Sequence, residues 1–201
     1  MSRTIRMALA GAILAVWCTA AAAQSVRVRG TIENVDGSAL TFKSTEGAEL
    51  KLTLADNAMI IAVVKASMVD IKEGTYLGSA AMPQSDGSQK ALEVHIFPEQ
   101  MRGTGEGHRP YAPVPESTMT NGFTSGSMVA GVDGSTIVVR YKDGEKKIVV
   151  PPDVPIVRYE IGGKADLKTG AKFTVQAATK KPDGTLEANR INVGRDGVAP
   201  Q

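Results

Sequence analysis

The sequence has a single cysteine, Cys18, and a single tryptophan, Trp17, and both fall within the first 24 residues. Beyond them no disulfide or thiolate–metal site can form, so packing has to supply the stability. Four Phe and four Tyr complete the aromatic set, few for a surface that stacks on bases or sugars. An excess of one charge is missing as well. Past residue 23 the chain carries 21 basic and 21 acidic residues, which excludes the electrostatic footprint of a nucleic-acid binder and a basic stripe for an anionic membrane.

What is present begins with MSRTIRMALAGAILAVWCTAAAAQ. Arg3 and Arg6 precede an uncharged run that ends in Ala21-Ala22-Ala23, the layout of a secretory signal peptide over residues 1–23. The run is weak in Leu and Ile and lacks basic residues at its end, unlike a stop-transfer helix. Trp17 stands where a lipid-attachment site before Cys18 would need a small residue. The sequence therefore predicts a chain starting near Gln24, periplasmic or secreted, with no stable membrane anchor once the signal is removed.

The phrase VDGSALTF at residues 35–42 returns as VDGSTIVV at residues 132–139, 97 positions later. Further matches follow: Glu46-Gly47 with Asp143-Gly144, Asp70–Gly74 with Asp166–Gly170, and Ser85-Asp86-Gly87 with Pro182-Asp183-Gly184. Units of about seventy residues are long enough for a small domain with its own core. The expected organisation is a signal peptide (1–23), a first barrel domain (24–98), a connector (99–122), a second barrel domain (123–196) and a tail (197–201).

Within unit one, residues 26–33 alternate apolar or small side chains with polar ones, the period of a strand with one buried face. Asp36-Gly37 supplies a hairpin turn, and Leu40 and Phe42 resume the inward face. Two more apolar runs, 50–54 and 59–64, precede a break at residues 67–74, where Ser67, Asp70 and Gly74 read as cap, partner and stop of one helical turn. Strands over 75–82 and 90–97 close the unit, and unit two repeats the pattern. The predicted fold class is all-β: two tandem six-stranded barrels, each with one short helical turn, after the signal helix. Such short strands avoid open edges most simply by rolling into closed barrels, with a two-sheet sandwich as the rival shape.

These residues resemble a family of exported bacterial proteins that carry small OB-like β-barrel domains of unknown function. The likeness lies in G-x-I-x-x-V-D-G at residues 30–37, the Gly47 and Gly144 turns, D-[IL]-K-x-G at residues 70–74 and 166–170, and D-G-T-x-x-A at residues 183–188. It implies an exported barrel protein. It brings no catalytic residue and no cofactor.

The connector EQMRGTGEGHRPYAPVPESTMTNG is denser in contact-making side chains than a plain spacer. Arg102, Glu106, His108, Arg109 and Tyr111 are its candidates for touching a partner, an envelope protein or a small ligand. Met101, His108 and Met119 offer soft ligands and define an alternative, copper binding. Gly103–Gly107 lacks the Lys-Ser/Thr ending and following helix of a phosphate loop and reads as flexible backbone. His95 sits between Val94 and Ile96, which point to a core, so it is expected on the surface. With no cysteine nucleophile and no Ser/His/Asp set, the sequence points to a non-catalytic binding or scaffold module.

Overall fold

The computed structural model describes residues 25–131 and 134–200. The signal segment lies outside them, as do Val132 and Asp133 of the second VDGS phrase. The described chain is all-β, with twelve strands: β1 (Ser25–Asp36), β2 (Ala39–Ser44), β3 (Glu49–Ala66), β4 (Tyr76–Pro83), β5 (Gln89–Ile96), β6 (Gly107–Pro110), β7 (Thr118–Gly131), β8 (Gly134–Tyr141), β9 (Gly144–Val150), β10 (Ile156–Ile161), β11 (Lys172–Lys180) and β12 (Leu186–Gly194). Single 3₁₀ turns occur at Met68–Asp70, Glu99–Met101 and Lys164–Asp166.

The strands do not close within their own repeat. One ring runs β1–β2–β3–β12–β11 and back to β1, so three strands of the first repeat close on two from the second. The other runs β4–β5–β9–β8–β7 and back to β4, the reciprocal exchange. The cores follow the same division. Phe42, Ile32 and Leu52 pack with Phe173, Ile191 and Val193 in barrel one, and Leu77 and Val94 with Val139 and Ile148 in barrel two. Phe42 and Phe173 meet edge to face at 5.0 Å between ring centroids. The expected sequential domains, 24–98 and 123–196, are thus corrected: each barrel takes strands from both.

The chain reaches the other barrel because β3 does not stop where a barrel strand should. At 18 residues it spans about 59 Å at ~3.3 Å per residue. It pairs with β12 of barrel one from Leu52 to Val63, and its end pairs with β10 from Ile61↔Ile161 to Ala66↔Ile156. The turn that follows therefore lies under barrel two, with Ile71 in that core, while Leu167 after the matching turn enters barrel one. The apolar runs 50–54 and 59–64 are one strand, so each ring has five strands, where six were expected. The fourth segment of each repeat, residues 59–64 within β3 and its counterpart β10, joins the barrels. A third apolar cluster, Ile61, Val63, Met101, Val157 and Tyr159, fills this junction. The predicted tail takes part too, with Val198 packed against that cluster and Thr174 Oγ1 donating to the Pro200 carbonyl at 2.8 Å.

The helical turns are spelled differently but closed alike. Asp70 Oδ2 accepts the Ser67 backbone N–H at 2.9 Å, and Asp166 Oδ2 accepts that of Gly163 at 2.9 Å. Glycine is needed at two equivalent crossings: a Cβ on Gly30 would strike the Lys43 carbonyl, and one on Gly122 the Arg140 carbonyl. From Gly30 to the turn glycine Gly37 is seven positions, and from Gly122 to Gly134 twelve. The repeats are thus not in strict register: this arm is five residues longer in the second repeat, and the register shift between Ser125 and Val129, four steps on β7 against two on β8, takes up two of them. Among the described residues no helix is long and apolar enough to cross a membrane.

Candidate functional site

Outward faces of the two barrels meet over a cleft of about 810 Å³, within the usual size range of small-molecule sites. Barrel one contributes Arg27 and Arg29 of β1 and Arg190 and Asn192 of β12; barrel two contributes Glu93 and His95 of β5 and Asn121 of β7. The placement follows from strand alternation. Ile191 and Val193 enter one core, so Arg190 and Asn192 point out, and Val94 and Ile96 do the same for Glu93 and His95. Glu93 and Arg190 are equivalent positions of the two repeats, as are His95 and Asn192. The duplicated strand has diverged in chemical character at both of these cleft-facing positions, while its inward positions stay apolar, Val94 and Ile96 against Ile191 and Val193.

His95 corrects the expectation of a surface residue. It is 6% exposed, stacked on Tyr159 at 5.1 Å with ring planes 8° apart, and edge-on to Phe97 at 5.0 Å. It does point out of its own barrel, but Tyr159 of β10 and Phe97 cover it. Its Nε2 lies over Gly78, where any Cβ would collide with it and with Asn121 Oδ1. Burial, helped by the charges of Arg190 and Arg109, pulls its pKa down to about 4. Glu93 moves the other way: burial raises its carboxyl to about 7, against the pull of Arg27 and Arg29. His95 is neutral wherever Glu93 is ionised, so their 3.8 Å contact is not an ion pair. Burial, reinforced by the Glu93 charge, raises the Tyr159 hydroxyl, and burial lowers Arg190.

Several polar atoms in this region are buried without a partner: Asn121 Oδ1, Asn192 Oδ1 and Arg27 Nε. Each such atom costs about 1–3 kcal/mol unless something bonds to it. The arginines tell a related story. Eight lie among the described residues. Arg102, Arg140, Arg158 and Arg195 form salt bridges to carboxylates. The other four, Arg27, Arg29, Arg109 and Arg190, have none among the described residues, and all four line the cleft.

The connector forms one wall. Its Gly103, Gly105 and Gly107 all take positive φ, but the segment is tied down: the Thr104 carbonyl accepts Tyr76 Oη at 3.0 Å and Asn121 Nδ2 at 3.1 Å. Arg109 Nη1 donates to the Gly105 carbonyl at 2.6 Å. The expected flexible glycine loop is therefore a folded turn. Burial, with a push from the Glu106 charge, raises Tyr76 to about 12, so it stays a donor at neutral pH.

The connector candidates separate into two groups. Arg109, Tyr111 and Met119 line the cleft. Arg102 lies over the Phe123 ring at 5.1 Å and pairs with Glu99 at 2.9 Å. Glu106 Oε1 accepts the Lys142 backbone N–H at 2.8 Å. Because β6 and β7 pair Arg109↔Met119 and His108↔Thr120, His108 faces away from Met119; its Nδ1 lies 2.8 Å from Thr120 Oγ1. Met101 is buried in the junction cluster. The trio Met101, His108 and Met119 thus does not converge on one point, and the described residues hold no cluster of three His, Cys, Asp or Glu suited to a metal.

Arg27, Arg29, Glu93, Asn121, Arg190 and Asn192 were missed as site residues because each looks like the polar half of an ordinary alternating strand. The available signal was the contrast of Glu93 with Arg190 and His95 with Asn192 at matched positions of a duplicated strand. No protein-family description, curated protein or solved structure matches the chain.

Proposed function

We propose that this protein is an exported, non-catalytic binding module, a pair of OB-like barrels assembled from exchanged halves, whose cleft takes a small anionic ligand. The observation that carries the proposal is the division of the arginines among the described residues: those away from the cleft are neutralised by carboxylates, and those around it have no carboxylate partner. Guanidinium groups form bidentate, charge-assisted bonds to carboxylate and phosphate oxygens, so four of them around one cavity suit such a ligand. Binding rather than turnover is favoured because, among the described residues, no serine, cysteine or lysine lines the cleft to act as a nucleophile. The five-strand order, with β3 and β12 parallel at the closing seam, supports the OB-like assignment.

The test is calorimetric titration of the chain from residue 24 with citrate and with inorganic phosphate at low salt. Saturable binding is expected, weakened by Arg190→Gln and by Arg27→Gln. Heats no larger than dilution for both anions would end the proposal. N-terminal sequencing of protein recovered outside the cytoplasm checks export; Gln24 or a close neighbour is expected as the first residue.

A further inference from the structure

The cleft's neutral groups narrow the ligand further, an inference that rests on the binding role just proposed. Asn121 and Asn192, each 4% exposed, come from different barrels and line the same cavity. Asn121 spends its amide on the Thr104 carbonyl, which leaves Oδ1 as a buried acceptor. Asn192 Oδ1 is a second one. The neighbouring groups do not meet this need: the Asn121 amide already points at the connector, and His95 Nε2 and Asn121 Oδ1 lie together over Gly78 without a hydrogen bond. A bare anion such as butyrate or sulfate would satisfy the arginines but has no hydrogen to donate to these oxygens. A ligand that carries both an anionic group and hydroxyl donors answers both sets at once.

We propose that the cleft binds a polyhydroxylated acid, a sugar acid or sugar phosphate, with its anionic group on Arg27, Arg29 and Arg190 and its hydroxyls donating to the Oδ1 atoms of Asn121 and Asn192. The scarcity of aromatics does not oppose this, because recognition comes through charge and hydrogen bonds. The exposed apolar side chains Leu92 and Val114 at the cleft give the C–H faces of such a ligand a surface to lie against. A site built to hydrogen-bond hydroxyls discriminates against analogues lacking them, since its buried polar groups are then left unpaired.

The experiment is a titration series on the chain from residue 24 with gluconate, glucose 6-phosphate, glucose, butyrate and sulfate. Gluconate or glucose 6-phosphate should bind at least ~10-fold more tightly than butyrate or sulfate, and glucose should bind too weakly to measure. Which of the two hydroxylated acids is tighter separates the carboxylate from the phosphate form. Asn192→Leu should bring the hydroxylated acids down to the affinity of the bare anions while leaving the bare anions unmoved; Arg190→Gln should weaken all anions together. The ranking with the unaltered chain needs no variant to fold. Bare anions binding as tightly as hydroxylated ones would overturn the polyhydroxylated acid and leave the binding role standing, whereas no binding by any anion would remove both.

Discussion

The two barrels are built from the same duplicated pattern, and they differ most at the seam that closes each ring. In barrel one, β3 and β12 run parallel through eight paired positions from Leu52↔Leu186 to Val63↔Gly194. In barrel two the matching seam between β9 and β5 has two, Gln89↔Ile148 and Lys90↔Val149, and β10 adds three more pairs to β5. The cause can be read in the chain. Where β3 passes through Ala55-Asp56-Asn57-Ala58, the second repeat has Pro151-Pro152-Asp153-Val154-Pro155. Proline cannot donate to a ladder, so β9 ends and β10 begins anew. The two repeats share one pattern; three prolines in the second interrupt its seam, while the first runs on unbroken.

The largest effect should come from separating the halves. Each ring needs strands from both, so residues 24–98 alone are expected to lack a cooperative unfolding transition by circular dichroism, and mixing them with residues 99–201 should restore it. A first half that unfolds cooperatively alone would show that exchange is optional. Next, Phe173→Ala should cost about 3–5 kcal/mol, the usual loss for a buried phenylalanine. Because Phe173 packs in barrel one, hydrogen exchange should speed up in β1–β3 before it does in β8 and β9. Faster exchange confined to the second repeat would break the exchanged topology.

A smaller effect separates the two walls of the cleft through the matched pair Glu93 and Arg190. Glu93 is raised to about 7 in the fold from an ordinary 4.5. Its contribution to stability is therefore full below pH 4.5, declines as the unfolded chain ionises first, and is lost as pH rises through 7. His95 is lowered to about 4, so its contribution is present above 6.5 and lost as pH falls through 4. The two slopes oppose each other in the native protein. Glu93→Gln removes one of them, and the variant should gain on the native protein between pH 5 and pH 8 by on the order of 1–3 kcal/mol in urea melts. A difference that does not change with pH would mean that Glu93 is solvated.

The smallest effect concerns ion pairs. Arg195 joins Glu160 of β10 to Asp166 of the turn at 2.5 and 2.6 Å, whereas Arg140–Glu145 is an exposed pair at 3.3 Å on barrel two. Arg195→Ala should lower stability by about 1 kcal/mol and Arg140→Ala by less than ~0.5 kcal/mol. Equal costs would show that the Arg195 network has no special role at the barrel junction.

By itself the sequence determined the strands and their inward faces, because a period of two and a turn residue such as Gly37 act over a few neighbouring positions. Val28, Leu40 and Phe42 could be assigned inward from alternation alone, and the Asp-Gly hairpins from the need for positive φ. The helical turns were legible for the same reason, since Asp70 and Asp166 bond to backbone only three residues away. Which strand closes which ring was not legible. β12 and β5 offer β3 nearly the same apolar edge, and the choice between them is made by how far β3 runs before it turns, a geometric property of the assembled chain. The site escaped for that reason too. Glu93, His95, Arg190 and Asn192 are outward residues of their own barrels, and only the docking of one barrel on the other turns that outward face into the wall of a cleft.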